Sequence, residues 1–251
     1  MIENYYDSLA PFYKFIYRDW NASVRSQANA LDTVIREFTG NESKTVLDVA
    51  CGIGTQSIGL AKLGYRVTSS DLSSAEIEMA RQEAYRYEVQ IEFQVADMRQ
   101  VWDIFQKQFD VVLACDNAIP HLMDDNEILQ AFKQFYQCTW TRGCCIISVR
   151  DYAELEKNDR EDLIYPRHVH QTNDGRIVLF DIWRFDGNYY EMTTYIVEDI
   201  GRTEAKTLVL HGGRCYCVGI STLEELFRKA GFHEVVTIRN RFFQPLIVAK
   251  K

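Results

Sequence analysis

Apolar positions along this chain follow two rhythms, and the change from one to the other falls near residue 150. Over residues 21–38, Val24, Ala28, Leu31, Val34, Ile35 and Phe38 recur at helical spacing, which predicts an amphipathic helix. Short apolar runs then alternate with helical stretches. They predict strands at 45–50, 66–71, 91–95, 110–115 and 144–149, and helices over 55–63, 73–87 and 125–139. Ser73, with Glu76 three residues later, reads as a capping box opening the second of these helices. Strands alternating with helices in this way predict an α/β fold, a doubly wound parallel sheet. Ligands of such sheets bind beyond the carboxyl ends of the strands, which singles out 48–54, Asp71, 96–98, 115–121 and Arg150.

After Arg150 the period drops to two. Residues 177–185, 189–197 and 205–210 alternate like antiparallel strands, Asp186-Gly187-Asn188 marks a hairpin turn, and 213–218 reads as a further strand. Ser221 and Glu224 suggest a second capping box, with the helix running to Ala230 and stopped by Gly231. Strands near 234–239 and 243–249 end the chain. Residues 1–251 thus read as a single domain, with 151–219 as an antiparallel β insertion, a lid or substrate region, over the edge of the sheet that faces the ligand.

Composition narrows the function classes. No apolar run reaches the ~18–20 residues that span a bilayer. The first seven residues lack a signal peptide's basic and apolar regions, so a cytoplasmic protein is expected. A net charge of −8 with no Lys/Arg block opposes nucleic-acid binding. The seven cysteines form no Cys-x-x-Cys pair and read as reduced, mostly buried thiols. Cys215 and Cys217 would share one strand face, and His168 and His170 alternate on an extended segment, but no further ligand lies at helpful spacing, so no metal is expected. A homo-oligomer is compatible with the sequence.

The chemistry concentrates in Thr45-Val46-Leu47-Asp48-Val49-Ala50-Cys51-Gly52-Ile53-Gly54-Thr55, a strand, a Gly-x-Gly turn and a helix start. A dinucleotide fingerprint has a third glycine where Ser57 stands, and a carboxylate at Asp48 would repel a pyrophosphate. S-adenosylmethionine carries a sulfonium and an ammonium beside one carboxylate and no phosphate, and an acidic strand end suits it. Asp71, 23 residues beyond Asp48, can accept from both ribose hydroxyls. Asp97 can receive the adenine amino group, with Met98 packing on the ring. One such aspartate is equally an N-cap or turn former; three at successive strand ends beside Gly-x-Gly point to the cofactor. The cofactor-binding set is Asp48, Ala50, Gly52, Gly54, Asp71, Leu72, Asp97, Met98 and Cys115.

Val-Leu-Asp-Val-Ala-Cys-Gly-x-Gly, Val-Thr-Ser-Ser-Asp-Leu-Ser and Ala-Asp-Met resemble the class I S-adenosylmethionine-dependent methyltransferases from about residue 20 onward. The resemblance implies a Rossmann-like seven-stranded sheet with an antiparallel last strand. Cys115-Asp116-Asn117-Ala118-Ile119-Pro120-His121-Leu122 is locally similar to the Leu-Gly-Asn-Ser-Phe-Ala-His-Leu stretch of glycine and sarcosine N-methyltransferases, with Asn117 and His121 in register. Ser148-Val149-Arg150-Asp151-Tyr152 resembles their His-Arg-Asn-Tyr-Asp segment. By that resemblance Arg150 holds a substrate carboxylate and Arg25 the carboxylate of the cofactor's methionine moiety, and Asn117, His121 and Arg150 form the catalytic set. Asn117 is placed to orient an amine, and Tyr5, Tyr6 and Tyr13 to close over the site. Asp116, Pro120 and Asp151 depart from the family's Gly, Ala and Asn. The expected activity is methylation of a small amine bearing a carboxylate. Its alternatives are O- or C-methylation, in which His121 would serve as base, a catalytically silent cofactor-binding protein, and a nicotinamide oxidoreductase.

Overall fold

Strands that are apolar at every position must be covered on both faces, and this requirement organises the larger sheet. The computed structural model describes residues 2–42, 44–154, 162–201 and 204–251. Helix α1 (Ile2–Leu9) and a 3-10 segment (Ala10–Ile16) precede α2 (Trp20–Thr39). There follow β1 (Thr45–Asp48), α3 (Thr55–Lys62), β2 (Arg66–Asp71), α4 (Ser74–Arg86) and β3 (Glu92–Val95). Next come α5 (Val101–Phe105), β4 (Phe109–Ala114), α6 (Asp125–Cys138) and β5 (Thr139–Ser148). Strands β6 (Asp162–Thr172), β7 (Gly175–Asp186), β8 (Tyr189–Asp199) and β9 (Lys206–Tyr216) form a separate antiparallel sheet. Helix α7 (Ile220–Ala230), β10 (Glu234–Ile238) and β11 (Leu246–Lys250) return the chain to the first sheet.

That sheet has the order β10-β11-β5-β4-β1-β2-β3, with β11 antiparallel to both its neighbours and the remaining pairs parallel. Alternate residues of each central strand serve opposite layers. Val111 and Leu113 pack with Leu31, Val34 and Ile35 of α2, whereas Val112 and Ala114 pack with Phe132 and Phe135 of α6 and Phe227 of α7. The strand order reverses between β1 and β4, so the crevice at their carboxyl ends is where such a sheet admits a ligand. The inner face of the second sheet, through Leu179, Trp183, Tyr190 and Met192, shares a core with Tyr5 and Leu9 of α1, and so covers that crevice. None of the seven cysteines forms a disulfide, and all but Cys217 are buried. No helix among the described residues is long and apolar enough to cross a membrane.

Several expected details differ. The runs at 205–210 and 213–218 are one strand, because positive φ at Gly212 forms a bulge opposite Met192 and Thr193 instead of a break. Strand β6 has no clean alternation; its pairing with β7 shifts register between Pro166 and Val169. Helix α7 is capped at Gly219, one residue ahead of its first turn, so Ser221 lies inside the helix and Glu224 instead accepts from Thr237 at 2.7 Å. The Ser73 hydroxyl does cap α4, but the Glu76 carboxylate does not complete the box, since the Ser73 N–H goes to Asp71. His170 Nε2 donates to the Phe15 carbonyl at 2.9 Å, tying β6 to the 3-10 segment.

The turn after β1 is held from below. Gly52 and Gly54 both take positive φ, and the Gly54 N–H donates to the Cys51 carbonyl at 2.8 Å. Asp48 is buried and accepts from the Ser57 hydroxyl at 2.6 Å, while Ser57 accepts from Ser69 at 2.8 Å. Ser57 thus stands where a dinucleotide fold has its third glycine because it clamps the strand-end carboxyl. Burial raises the Asp48 carboxyl to about 7, against the opposing hydrogen bonds from Ser57 and Ala50.

Two outcomes follow from this packing. A Cβ on Gly59 of α3 would lie 2.5 Å from the Val24 carbonyl oxygen and 2.6 Å from Ala28 Cβ. Gly59→Ala is therefore expected to destabilise the fold by about 1–3 kcal/mol in urea denaturation. Asp48 holds its proton to about pH 7 when folded and to only about pH 4 when unfolded. The folded state binds the extra proton, so this group's contribution to stability falls as pH rises through that window. Asp48→Asn removes the effect, and its stability relative to wild type should improve between pH 5 and pH 8.

Candidate active site

The carboxyl ends of β1 to β4 open into a cleft with about 930 Å³ of empty space. Ala50 and Gly52 line it from the β1 turn, Asp71 and Leu72 from β2, Asp97 and Met98 from β3, and Cys115 and Asp116 from β4. The Asp71 carboxylate ties two loops together, accepting from the Gly52 N–H at 2.8 Å and the Ser73 N–H at 3.0 Å. Each of its oxygens keeps a further lone pair for a ligand. Asp97 caps the turn at Met98 and is chelated by Arg99 at 2.6 Å; burial pulls its carboxyl up, but the Arg99 hydrogen bonds hold it below the usual range. Arg99 also reaches Glu127 at 2.7 Å.

Other expected cofactor residues stand outside the lining. Asp48 and Gly54 lie behind the turn, where they shape it. Arg25 is exposed on α2, because that helix turns Val24, Gln27 and Ala28 inward; the cleft meets Gln56, whose amide donates to Gln27 at 2.7 Å. Tyr13, expected to close over the site, lines the cleft; the spacing gives no sign of Glu3, Glu76 and Tyr17, which line it too. Glu76 in particular is disguised as half of a capping box.

The charge of the cleft tests which ligand fits. Among the described residues, Glu3, Asp71, Glu76, Asp97 and Asp116 line it against a single cation, Arg99, already paired with two carboxylates. Such a surface repels a pyrophosphate and suits a ligand of net positive charge. The discrimination against phosphate expected of Asp48 is thus made by carboxylates on other loops. The residues fit S-adenosylmethionine.

A second cavity, with about 440 Å³ of empty space, adjoins the cleft, and Tyr6, Tyr13, Asp116 and His121 line both. Asp116 and Asn117 hold it open through two successive residues with φ of 57° and 65°, a conformation that non-glycine residues rarely adopt. Their N–H groups donate to the Ser148 hydroxyl at 2.7 Å and the Ser148 carbonyl at 3.1 Å, which pins β4 to β5. The Asn117 amide is a strut: Nδ2 donates to Tyr152 at 2.8 Å and Oδ1 accepts the Arg150 N–H at 3.1 Å. Its amide is thus engaged with the protein, while Asp116 beside it accepts from Tyr17 at 2.8 Å. Asp151 turns away, to Arg239 at 2.7 Å.

His121 lies 2.7 Å from the Tyr6 hydroxyl, and burial lowers its imidazole to about 4, so it is neutral at physiological pH. Tyr5 is buried against Thr194 at 2.6 Å and lines the second cavity alone, whereas Tyr6 and Tyr13 wall both spaces. Arg150 stacks its guanidinium over Trp183 at 5.0 Å and Tyr165 at 5.7 Å. Among the described residues no carboxylate pairs with it. Arg150 and Asp116 also face an outer groove with about 1,920 Å³ of open space.

A methyltransferase domain model matches residues 46–143. The chain is 28% identical over 176 residues to the putative methyltransferase YqeM of Bacillus subtilis, covering 63% of this chain and 70% of that protein. It is 29% identical over 137 residues to a glycine/sarcosine N-methyltransferase of Parasynechococcus marenigrum, covering 55% of this chain and 48% of the relative, so the match spans about half of that enzyme. Among solved structures, S-adenosylmethionine-bound CalS10, an amino pentose methyltransferase from Micromonospora echinaspora, superposes with a TM-score of 0.77 at 16% identity, covering 95% of this chain and 94% of the other. The chain thus carries a methyltransferase domain over residues 46–143, on a seven-stranded sheet whose fold is that of S-adenosylmethionine-dependent methyltransferases.

Proposed function

We propose that the chain methylates the nitrogen of a small amine that also carries a carboxylate. The observation that carries this reading is Arg150, a largely enclosed guanidinium on the wall of the second cavity with no carboxylate partner among the described residues. Its planar fork suits a carboxylate held bidentately. Asp116, the carboxylate lining the same cavity, suits the amine end of a zwitterion. The relatives named glycine/sarcosine N-methyltransferase act on substrates of that description by name.

S-adenosylmethionine, when bound, supplies an activated methyl group on a sulfonium. Asp71 would hold the ribose hydroxyls, Leu72 and Met98 would pack on the adenine, and Asp97 would meet its amino group. The shared wall of Tyr6, Tyr13, Asp116 and His121 is where the two ligands would meet. Attack by a neutral amine needs alignment and exclusion of water more than a strong base. A buried imidazole lowered to about 4 and bonded to Tyr6 matches that demand and is a poor base for an oxygen acceptor.

A second reading is a larger amine whose remaining atoms lie in the outer groove. It is favoured by the way that groove shares Arg150 and Asp116 with the inner cavity, and by the amino pentose named for one structural neighbour.

Arg150→Lys should raise KM for a carboxylate-bearing amine about 10- to 100-fold, the worth of a charged hydrogen bond, with S-adenosylmethionine affinity unchanged by calorimetry. Incubation with labelled cofactor should methylate at least one of glycine, sarcosine and dimethylglycine. If all three stay unlabelled while an amino sugar is methylated, the second reading replaces the first. Since His121 does not titrate near neutrality, the rate between pH 6 and pH 8 should follow deprotonation of the acceptor amine and keep that profile in His121→Gln.

A further inference from the structure

Glu76 sits in the first turn of α4, and its backbone N–H donates to the Ser73 hydroxyl at 3.1 Å. Its carboxylate does not return to the helix terminus, because Asp71 already takes the Ser73 N–H at 3.0 Å. The side chain is only 2% exposed, lines the cofactor cleft, and leaves Oε1 without a hydrogen-bond partner among the described residues. Its other oxygen looks across the β1 turn, 3.7 Å from where a Cβ on Gly52 would stand, with the Tyr13 ring at the same distance.

Among the described residues, the groups facing Glu76 offer it no positive charge. Asp71 approaches from the end of β2, Asp7 from α1 and Asp116 from the end of β4. Tyr6 and Tyr13 approach from the N-terminal segment, and each feels the Glu76 charge. Asp7 itself is satisfied, accepting from the Ser73 hydroxyl at 2.6 Å and the Ala75 N–H at 3.2 Å. A buried carboxylate with a bare oxygen among other carboxylates is costly unless it is protonated or meets a cation. The ligand that this cleft fits brings two cationic groups, a sulfonium and an ammonium.

We propose that Glu76 is a cofactor-binding residue that takes up the positive charge of S-adenosylmethionine, releasing its own proton to solvent as the cofactor binds. The proposal rests on the assignment of the cleft to that cofactor. Burial first, then the charges of Asp71, Asp7 and Asp116, raise the Glu76 carboxyl well above the usual carboxylate range, which favours the protonated form in the free protein. A cation beside the carboxylate reverses the balance. The demethylated product, S-adenosylhomocysteine, keeps the ammonium and lacks the sulfonium charge, so comparing the two ligands identifies the cation that Glu76 meets.

Calorimetry of the full-length chain with S-adenosylmethionine, in two buffers of different ionisation enthalpy near pH 7, tests the proposal. The wild type should release a measurable fraction of a proton per cofactor bound. Glu76→Gln should abolish the release and lower affinity about ten-fold or more, as the loss of a charge-assisted contact does. Glu78→Gln, on the same helix with its side chain 61% exposed, should behave as wild type. A loss larger for S-adenosylmethionine than for S-adenosylhomocysteine assigns the sulfonium; an equal loss assigns the ammonium. Thermal melting of the free variants separates binding from folding, and Glu76→Gln should melt no lower than wild type. Unchanged affinity in a folded Glu76→Gln, or wild-type binding without proton release from pH 6 to pH 8, overturns the proposal. A wild type that binds neither ligand overturns the cofactor assignment instead.

Discussion

The constraint on which this structure depends is the burial of its central strands on both faces. Val111 and Leu113 face one helical layer and Val112 and Ala114 the other, so β4 has no free face on which to carry chemistry. The same holds for Val46 and Leu47 of β1 and for Ile146 and Ile147 of β5. What remains open is the carboxyl end of each strand, where the backbone leaves the sheet with unspent hydrogen-bonding groups. The β1 turn, Asp71, Asp97 and the Asp116–Asn117 pair gather there because the covered faces leave them no other place.

Their proximity creates an electrostatic problem that the loops solve unequally. Asp71 is satisfied by two backbone N–H groups, Asp97 by Arg99, Asp116 by Tyr17 and Asp48 by Ser57. Glu76 is left with an oxygen that nothing among the described residues satisfies. A cleft arranged in this way leaves one carboxyl that a bound cation can ionise, and that asymmetry gives a positively charged ligand an orientation as well as an affinity.

The acceptor side is built by a different device. The β4 end adopts an unfavourable backbone conformation at two successive residues, and hydrogen bonds to Ser148 and Tyr152 on the β5 side stabilise it. Because Asn117 also accepts from the Arg150 backbone, the position of the guanidinium depends on the same strut. The second sheet completes the enclosure by placing Trp183 and Tyr165 under that guanidinium and Tyr190 beside it. A feature of β4 therefore fixes a group that follows β5, and aromatic residues of β6 and β7 fix its direction.

The alternation of apolar runs with helical stretches determines the parallel sheet, since strand and helix periods are local properties of the chain. Spacing along the sequence likewise locates Asp71, Asp97, His121 and Arg150, because strand ends follow from strand boundaries. It does not determine where a side chain points once two loops compete for the same donor. Asp48 and Asp71 look alike in sequence, yet one turns beneath the loop to Ser57 and the other bridges Gly52 and Ser73. Glu76 has the spacing of a capping box, and only the prior claim of Asp71 on the Ser73 N–H sends it into the cleft. Arg25 lies one residue round the helix from the inward face, an angular difference that no one-dimensional match records. Local pattern thus decided the scaffold and the strand ends, while the assignment of each charge to a partner awaited the tertiary structure, because a hydrogen bond depends on distances between segments far apart in the chain.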